Sequence, residues 1–313
     1  MNREKYNLII QIINGVLNMK STLFIGSVVL DMVVQLDHLP KLKEDINTEG
    51  LKLSVGGCSR NACQIVKHFG LPTISCSPIG TGPFASLLRS LLDEEPMIKL
   101  ENQDNGCCIC LVNKDGERTF LSEHGAEYLF DEKWLESINS NDLDYIYVCG
   151  LEIEDKNGNQ IIDYLEKMNV KPFFAPGSRI MHIQPERMKR IMDMNPIIHL
   201  NEDEAIQFTQ CETVKNAATK IFDITNELVI ITCGERGVYF KNKSKEGLIE
   251  GFKSVVVDTI GAGDSHAGAC IAGLMQKKPI EEILITANKI ASKVISVEGA
   301  GITKEEFECA INK

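Results

Sequence analysis

Asp258-Thr259-Ile260-Gly261-Ala262-Gly263-Asp264 is the stretch on which the reading of this chain turns. Ahead of it, Phe252 to Val257 is rich in β-branched residues and predicts a buried strand. Behind it, Ser265 to Gln276 carries the small and apolar residues of a helix packed against a sheet. A glycine-rich turn at a helix start leaves backbone N–H groups unpaired, and the helix dipole adds to their attraction for anions. An acid inside such a turn, Asp264, has two readings. It can cap the helix by accepting from free N–H groups. Alternatively, it takes a proton from a hydroxyl while the amides of Gly261, Ala262 and Gly263 hold a phosphoryl group in transfer.

Working outward, the chain reads as repeated β-α units. Leu23 to Leu30 is a first buried strand ending at Asp31, and Thr73 to Ile79 is another. Tyr145 to Val148, Pro172 to Ala175, Ile197 to Leu200 and Leu228 to Thr232 alternate with helical stretches such as Ile161 to Met168 and Val214 to Phe222. This alternation predicts an α/β fold with a mainly parallel sheet between two helical layers, and ligands of such sheets sit beyond the carboxyl ends of the strands. Asp31, Glu152, Asn201, Thr232 and Asp258 all fall at predicted strand ends. The pieces at 32–55 and 106–124, the latter a hairpin through Asp115-Gly116, break the alternation and read as a small antiparallel sheet over the site.

Length, charge and cysteines narrow the class. The 313 residues can bury one large core. A net charge of −11 without a basic cluster argues against nucleic acid as a partner. The 11 cysteines are odd in number and lack metal-knuckle spacing, which fits free thiols in a reducing, cytoplasmic setting. Residues 1–18 contain an apolar run, Leu8 to Leu17, broken by Gln11, Asn14 and Gly15, too short and polar to span a bilayer. We read 1–18 as an N-terminal extension and 19–313 as a single domain.

A second glycine site, Gly56-Gly57-Cys58-Ser59-Arg60-Asn61-Ala62, precedes the helix Ser59 to Phe69. Adjacent glycines let a backbone approach a ligand closely, and Asn61 offers donor and acceptor to sugar-type hydroxyls. Taken with the first stretch, in this order and separation, it resembles the two signatures of the PfkB (ribokinase-like) carbohydrate kinases over roughly residues 20 to 313.

The resemblance implies a ribokinase-like three-layer α/β/α sandwich with a small β-sheet lid, and an ATP-dependent phosphotransfer to the hydroxymethyl group of a sugar. In that frame Asp264 is the general base, and Gly261, Ala262 and Gly263 form the anion hole. Asp31, Gly57, Asn61 and Glu152 meet the sugar. Asn201, Thr232, Gly234, Gly237 and Asn288 meet the nucleotide, and Glu204 meets Mg2+, directly or through water. Asn201 and Glu204 equally suit a plain helix start. In some relatives a monovalent cation such as K+ lies near the positions of Asp258 and Ser296; the sequence leaves that open here. A nucleoside in place of a sugar is the alternative substrate. A non-catalytic sugar or nucleotide binder is the further alternative, which the retained Asp264 disfavours. The open edges and apolar faces of a projecting sheet suit a homodimer through the lid. Two rivals fail: a dinucleotide fingerprint lacks its third glycine because position 266 is histidine, and no Gly-Lys dipeptide exists for a P-loop.

Overall fold

The computed structural model describes residues 19–92 and 96–312; the 1–18 extension lies outside them. The chain runs β1 (Ser21–Ile25), β2 (Val29–Gln35), β3 (Gly50–Gly56), α1 (Cys58–His68), β4 (Thr73–Cys76), β5 (Pro78–Ile79), α2 (Pro83–Leu91) and β6 (Ile98–Lys99). It continues through β7 (Cys107–Val112), β8 (Arg118–Glu123), β9 (Leu143–Cys149), α3 (Gly150–Glu154), α4 (Gly158–Met168), β10 (Lys171–Ala175), α5 (Pro185–Asp193) and β11 (Ile197–Asn201). Last come α6 (Glu202–Thr209), α7 (Val214–Thr225), β12 (Val229–Thr232), β13 (Val238–Lys241), β14 (Glu246–Ile249), α8 (Ala262–Met275), α9 (Ile280–Val294) and α10 (Lys304–Ile311).

Eight strands form the central sheet in the order β14-β13-β12-β11-β10-β9-β1-β4, parallel from β12 to β4. The two-residue period of the strands deals their side chains to opposite faces. Leu23, Ile146, Phe174 and Ile198 go to the face packed by α4, α5 and α7, whereas Phe24, Tyr147, Phe173 and Ile197 go to the face packed by α1, α8 and α9. The result is the expected sandwich, with strand order reversing direction between β9 and β1 above which a cleft opens. No helix among the described residues is long and apolar enough to cross a membrane.

The lid is a second sheet, in the order β3-β2-β7-β8. It is mixed instead of antiparallel, because β2 and β7 pair in parallel. Four connections join it to the sandwich, and two buried carboxylates pin three of them. Glu152 accepts from the Ser27 N–H at 2.8 Å, at the step from β1 to β2. Glu127 accepts from the N–H groups of Gly106 and Gly125, at 2.8 and 2.9 Å, at the root of β7 and just past β8.

Three sequence expectations are corrected. Leu23 to Leu30 is two strands, one in the core and one in the lid, because the chain turns at Gly26 with φ +154°. Asp31 therefore stands within lid strand β2, not at the end of a core strand. Thr73 to Ile79 likewise divides at Ser77, whose hydroxyl is drawn to the Gly26 carbonyl. Phe252 to Val257 is an irregular, exposed segment: Val255 is 78% exposed and Val256 63%. Asp258 thus follows a loop.

Helix α8 is apolar and small nearly all round, and is accordingly buried from Ser265 to Gly273. It packs closely on α1 because a Cβ at Gly268 would stand 2.4 Å from the Ala62 carbonyl oxygen. Gly268→Val should force the helices apart and cost about 1–3 kcal/mol, the range of overpacked cores. Urea denaturation of the variant against the parent measures this.

Candidate active site

Two helix starts meet at the cleft, joined through Asn61 and Asp264, 203 residues apart in sequence. Helix α8 begins at Gly261, whose φ of +74° is left-handed and whose absent Cβ would collide with the Ala300 carbonyl at 2.0 Å. Asp264 lies in the first turn yet does not cap the helix. Its Oδ2 instead accepts from Asn61 Nδ2 at 3.0 Å, so the capping reading does not hold.

Helix α1 begins at Gly57, with φ +106°. The glycine pair serves its own chain more than an open ligand space. A Cβ at Gly56 would stand 1.9 Å from Asp31 Oδ2, and one at Gly57 would stand 2.3 Å from the Ser27 carbonyl oxygen. Gly56 thus makes room for the Asp31 carboxylate, and Gly57 lets α1 start against the break between β1 and β2.

Three chambers run along this cleft. The first, about 170 Å³, lies under the lid and is lined by Ser27, Asp31, Gly57, Asn61, Phe120 and Asp264 among others. The second, about 350 Å³, takes in Cys58, Pro176, Asn201, Glu204, Thr232, Gly263 and Asp264. The third, about 890 Å³, holds Thr232, Gly234, Gly237, Phe252, Gly263 and Asn288. Asp264 is in the wall common to the first and second; Gly263 and Thr232 are common to the second and third. Nothing would meet a Cβ at Gly263 within 4 Å, so the turn opens directly on the cleft.

The electrostatics are those of carboxylates taken from water. Burial raises the Asp264 carboxyl above its ordinary range, against the opposing hydrogen bonds from Asn61 and Cys58. Asp31 is pushed up to about 7, first by burial and then by the charge of Asp264, with Arg60 opposing. Arg60 itself turns to another cavity, beside Gln64 and Lys67, with Nη1 3.4 Å from the Val55 carbonyl oxygen. No lysine or arginine lines the first chamber.

Asn201 and Glu204 form a reciprocal capping box at the start of α6: Asn201 Oδ1 accepts from the Glu204 N–H at 2.8 Å, and Glu204 Oε2 from the Asn201 N–H at 2.9 Å. Both still face the second chamber. Burial raises the Glu204 carboxyl, helped by the charges of Asp203 and Asp264. Glu152 and Gly261 are the predicted residues absent from the three chamber linings: Gly261 is seated on Ala300, and the Ser27 N–H and the Cys149 thiol occupy the two oxygens of Glu152.

A buried chain of rings escaped the sequence reading. Asn288 donates to the carbonyls of Ile249 and Glu250, at 3.3 and 3.0 Å, which turns its Oδ1 toward His266 Nε2 at 3.2 Å. That assigns the proton of His266 to Nε2, and its Nδ1 then accepts from His199 Nε2 at 2.9 Å. Burial holds both rings neutral: His266 is pushed down to about 4, and His199 falls well below its usual value, the neighbouring His266 adding to the effect. The sequence carries little signal for it: His266 falls inside the glycine-turn helix as an interruption of a glycine spacing, and a strand histidine such as His199 has no motif.

A parallel sheet switching direction beneath a four-stranded lid, with glycine-led helix starts converging at the cleft, is the ribokinase-like fold. The PfkB family carbohydrate kinase model matches residues 19–306. Over 298 residues the chain is 31% identical to an uncharacterized sugar kinase of Escherichia coli, YegV, with 92% of this chain and 93% of that protein covered. An adenosine kinase from Sinorhizobium meliloti superposes with a TM-score of 0.81 at 17% identity, over 94% of this chain and 99% of that one. The ribokinase of Arabidopsis thaliana complexed with ribose and ATP does so with 0.77 at 19% identity, over the same shares. The chain belongs to the PfkB family of carbohydrate kinases.

Asp31 carries a pH prediction. The fold binds its proton more tightly than the unfolded chain does, so the stabilisation is complete below the ordinary carboxylate range and is lost as pH rises through about 7. Asp31→Asn cannot ionise, and its stability relative to the parent should therefore rise between pH 5 and pH 8. Denaturation curves at the two values measure the difference; a constant gap would mean that the carboxyl titrates normally.

Proposed function

We propose that this kinase transfers the γ-phosphoryl group of ATP to a primary hydroxyl of a free monosaccharide, with Asp264 as general base. The observation that carries this is the order of the chambers. The carboxylate stands between the first and second, and the glycine turn between the second and third. A sugar in the first chamber and a nucleotide in the third would bring hydroxyl and γ-phosphoryl together in the second, with the base on one side and the helix start on the other.

Asp31, Asn61 and Gly57 would orient the sugar hydroxyls. The Asn61 amide keeps Asp264 aimed and favours its ionised form, while burial raises its proton affinity enough to accept one from an alcohol. The N–H groups of Ala262 and Gly263 would take the charge growing on the transferred oxygens; that of Ala262 is held only loosely, by the Thr259 carbonyl at 3.4 Å. The third chamber, with Thr232, Gly234 and Gly237 along it, would take the nucleoside, and ATP as donor agrees with the ATP of the ribokinase complex above. The Asn288 side chain is spent on its own network and would shape the wall there.

Among the described residues no three His, Cys, Asp or Glu side chains gather to hold a metal. That suits Mg2+, which keeps several waters and binds through phosphates and one or two carboxylates. Glu204 would hold it, through water, and the ion would supply positive charge to the phosphates. The small first chamber, lined by no lysine or arginine, favours a neutral sugar over a nucleoside or a sugar acid.

ATP consumption with Mg2+ across a panel of sugars, sugar acids and nucleosides tests the reading. Asp264→Asn should lower turnover by about 10²–10⁴-fold with nucleotide binding and melting temperature unchanged. Full turnover in that variant would remove Asp264 as the base, and turnover on nucleosides alone would reassign the substrate.

A further inference from the structure

A part-buried ion pair ties the lid to the root of the anion turn. Arg118, the first residue of β8, places Nη1 2.7 Å from Asp258 Oδ1, and both side chains are well covered, 19% and 9% exposed. The same Oδ1 accepts from the Ile260 N–H at 2.8 Å, and Oδ2 accepts from the Gly299 N–H at 3.1 Å. Ser296, the other residue at which relatives suggest a monovalent cation, turns its hydroxyl back to the Lys293 carbonyl at 2.7 Å.

This donor set does not fit a bound K+. Such an ion needs several converging oxygen ligands, whereas Asp258 Oδ1 already accepts from the Ile260 N–H and from the Arg118 guanidinium, whose charge would repel a second cation, and Oδ2 accepts from the Gly299 N–H. The position nevertheless requires positive charge. The loops 257–261 and 295–301 lie back to back, with the N–H groups of Val257 and Asp258 donating to the Ile295 carbonyl at 2.7 and 3.2 Å and Gly261 seated on Ala300. An uncompensated carboxylate here would stand just behind a turn built to receive an anion.

We propose that Arg118 is the tethered counterpart of a monovalent cation: its guanidinium neutralises Asp258 and fixes the anion turn, so this protein needs no K+. Because the charge is carried on the lid, the turn is fully formed only with the lid docked. Arg118 is thus a positioning residue, acting through Asp258 on Gly261 to Gly263. A second lid contact to the same loops, Lys52 to Glu298 at 3.0 Å, is exposed and contributes little. The consequence for turnover rests on the kinase reading; the cation preference does not.

The test uses the full chain, with Arg118→Ala and Arg118→Lys. Melting temperature and ADP affinity are measured in potassium, sodium and choline chloride at equal ionic strength. The parent and Arg118→Lys should behave alike in all three salts. Arg118→Ala should melt lower and bind ADP about tenfold more weakly, the scale of one charge-assisted contact. K+ or low millimolar guanidinium, but not choline, should restore it. A merely structural role for the side chain would produce no cation-selective recovery.

K+-selective stabilisation of the parent, or a folded Arg118→Ala that answers to no cation, would overturn the proposal. Should Arg118→Ala fail to fold, the salt responses of the parent and Arg118→Lys decide: independence of K+ supports it, and dependence overturns it. If ADP binds to none of the proteins, the kinase reading fails while the melting data still decide the cation question.

Discussion

The hydrogen bond from Asn61 to Asp264 is the contact on which the rest of the site depends. It joins the first turns of α1 and α8, and both helices are positioned by what glycine permits. Gly57 allows α1 to start against Ser27, Gly261 allows α8 to start against Ala300, and Gly268 brings the two helices within backbone reach. A carboxylate buried with one good donor is held ionisable and aimed; one buried with none would simply stay protonated. The small residues of α8 therefore fix the place of this acid as much as the donor that meets it does.

Around that bond the molecule keeps positive charge scarce. The histidines between the second and third chambers are neutral, each committed to a partner, and Arg60 is directed elsewhere. The guanidinium of Arg118 is spent on Asp258. Beside Asp264 the cleft wall carries carboxylate and backbone N–H, while Arg179 stands on the second chamber and Arg236 and Lys253 on the third. Dipoles fixed in the fold need not reorganise as charge moves, which is what the proposed anion turn would exploit.

How much of this was legible in the sequence follows from what each residue must do. The two glycine stretches could be read because left-handed backbone and close approach leave few substitutes for glycine. The β-α alternation could be read because buried parallel strands need continuous apolar runs. Phe252 to Val257 misled for the same reason: β-branched residues that look like a strand instead pass over the third chamber, where Phe252 and Val256 line the wall. The break at Gly26 could not be located, since Leu23 to Leu30 is apolar across both strands. Glu152 was placed in the right neighbourhood, but spacing cannot tell a carboxylate facing a ligand from one facing a backbone N–H. The pairing of Arg118 with Asp258, 140 residues apart, leaves no local trace at all.

The parallel pairing of β2 with β7 has a mechanical meaning. Two hairpins that merely met edge to edge could each swing on its own stalk. Stitched through their middle strands, they form one plate standing on four legs, at Ser27, Gly57, Gly106 and Gly125, with Glu127 clamping two and Glu152 a third. The unclamped leg is the one that continues into α1. Any tilt of the plate is levered most directly into the helix that holds Asn61, so load on the lid reaches Asp264 without passing through whatever lies beneath it.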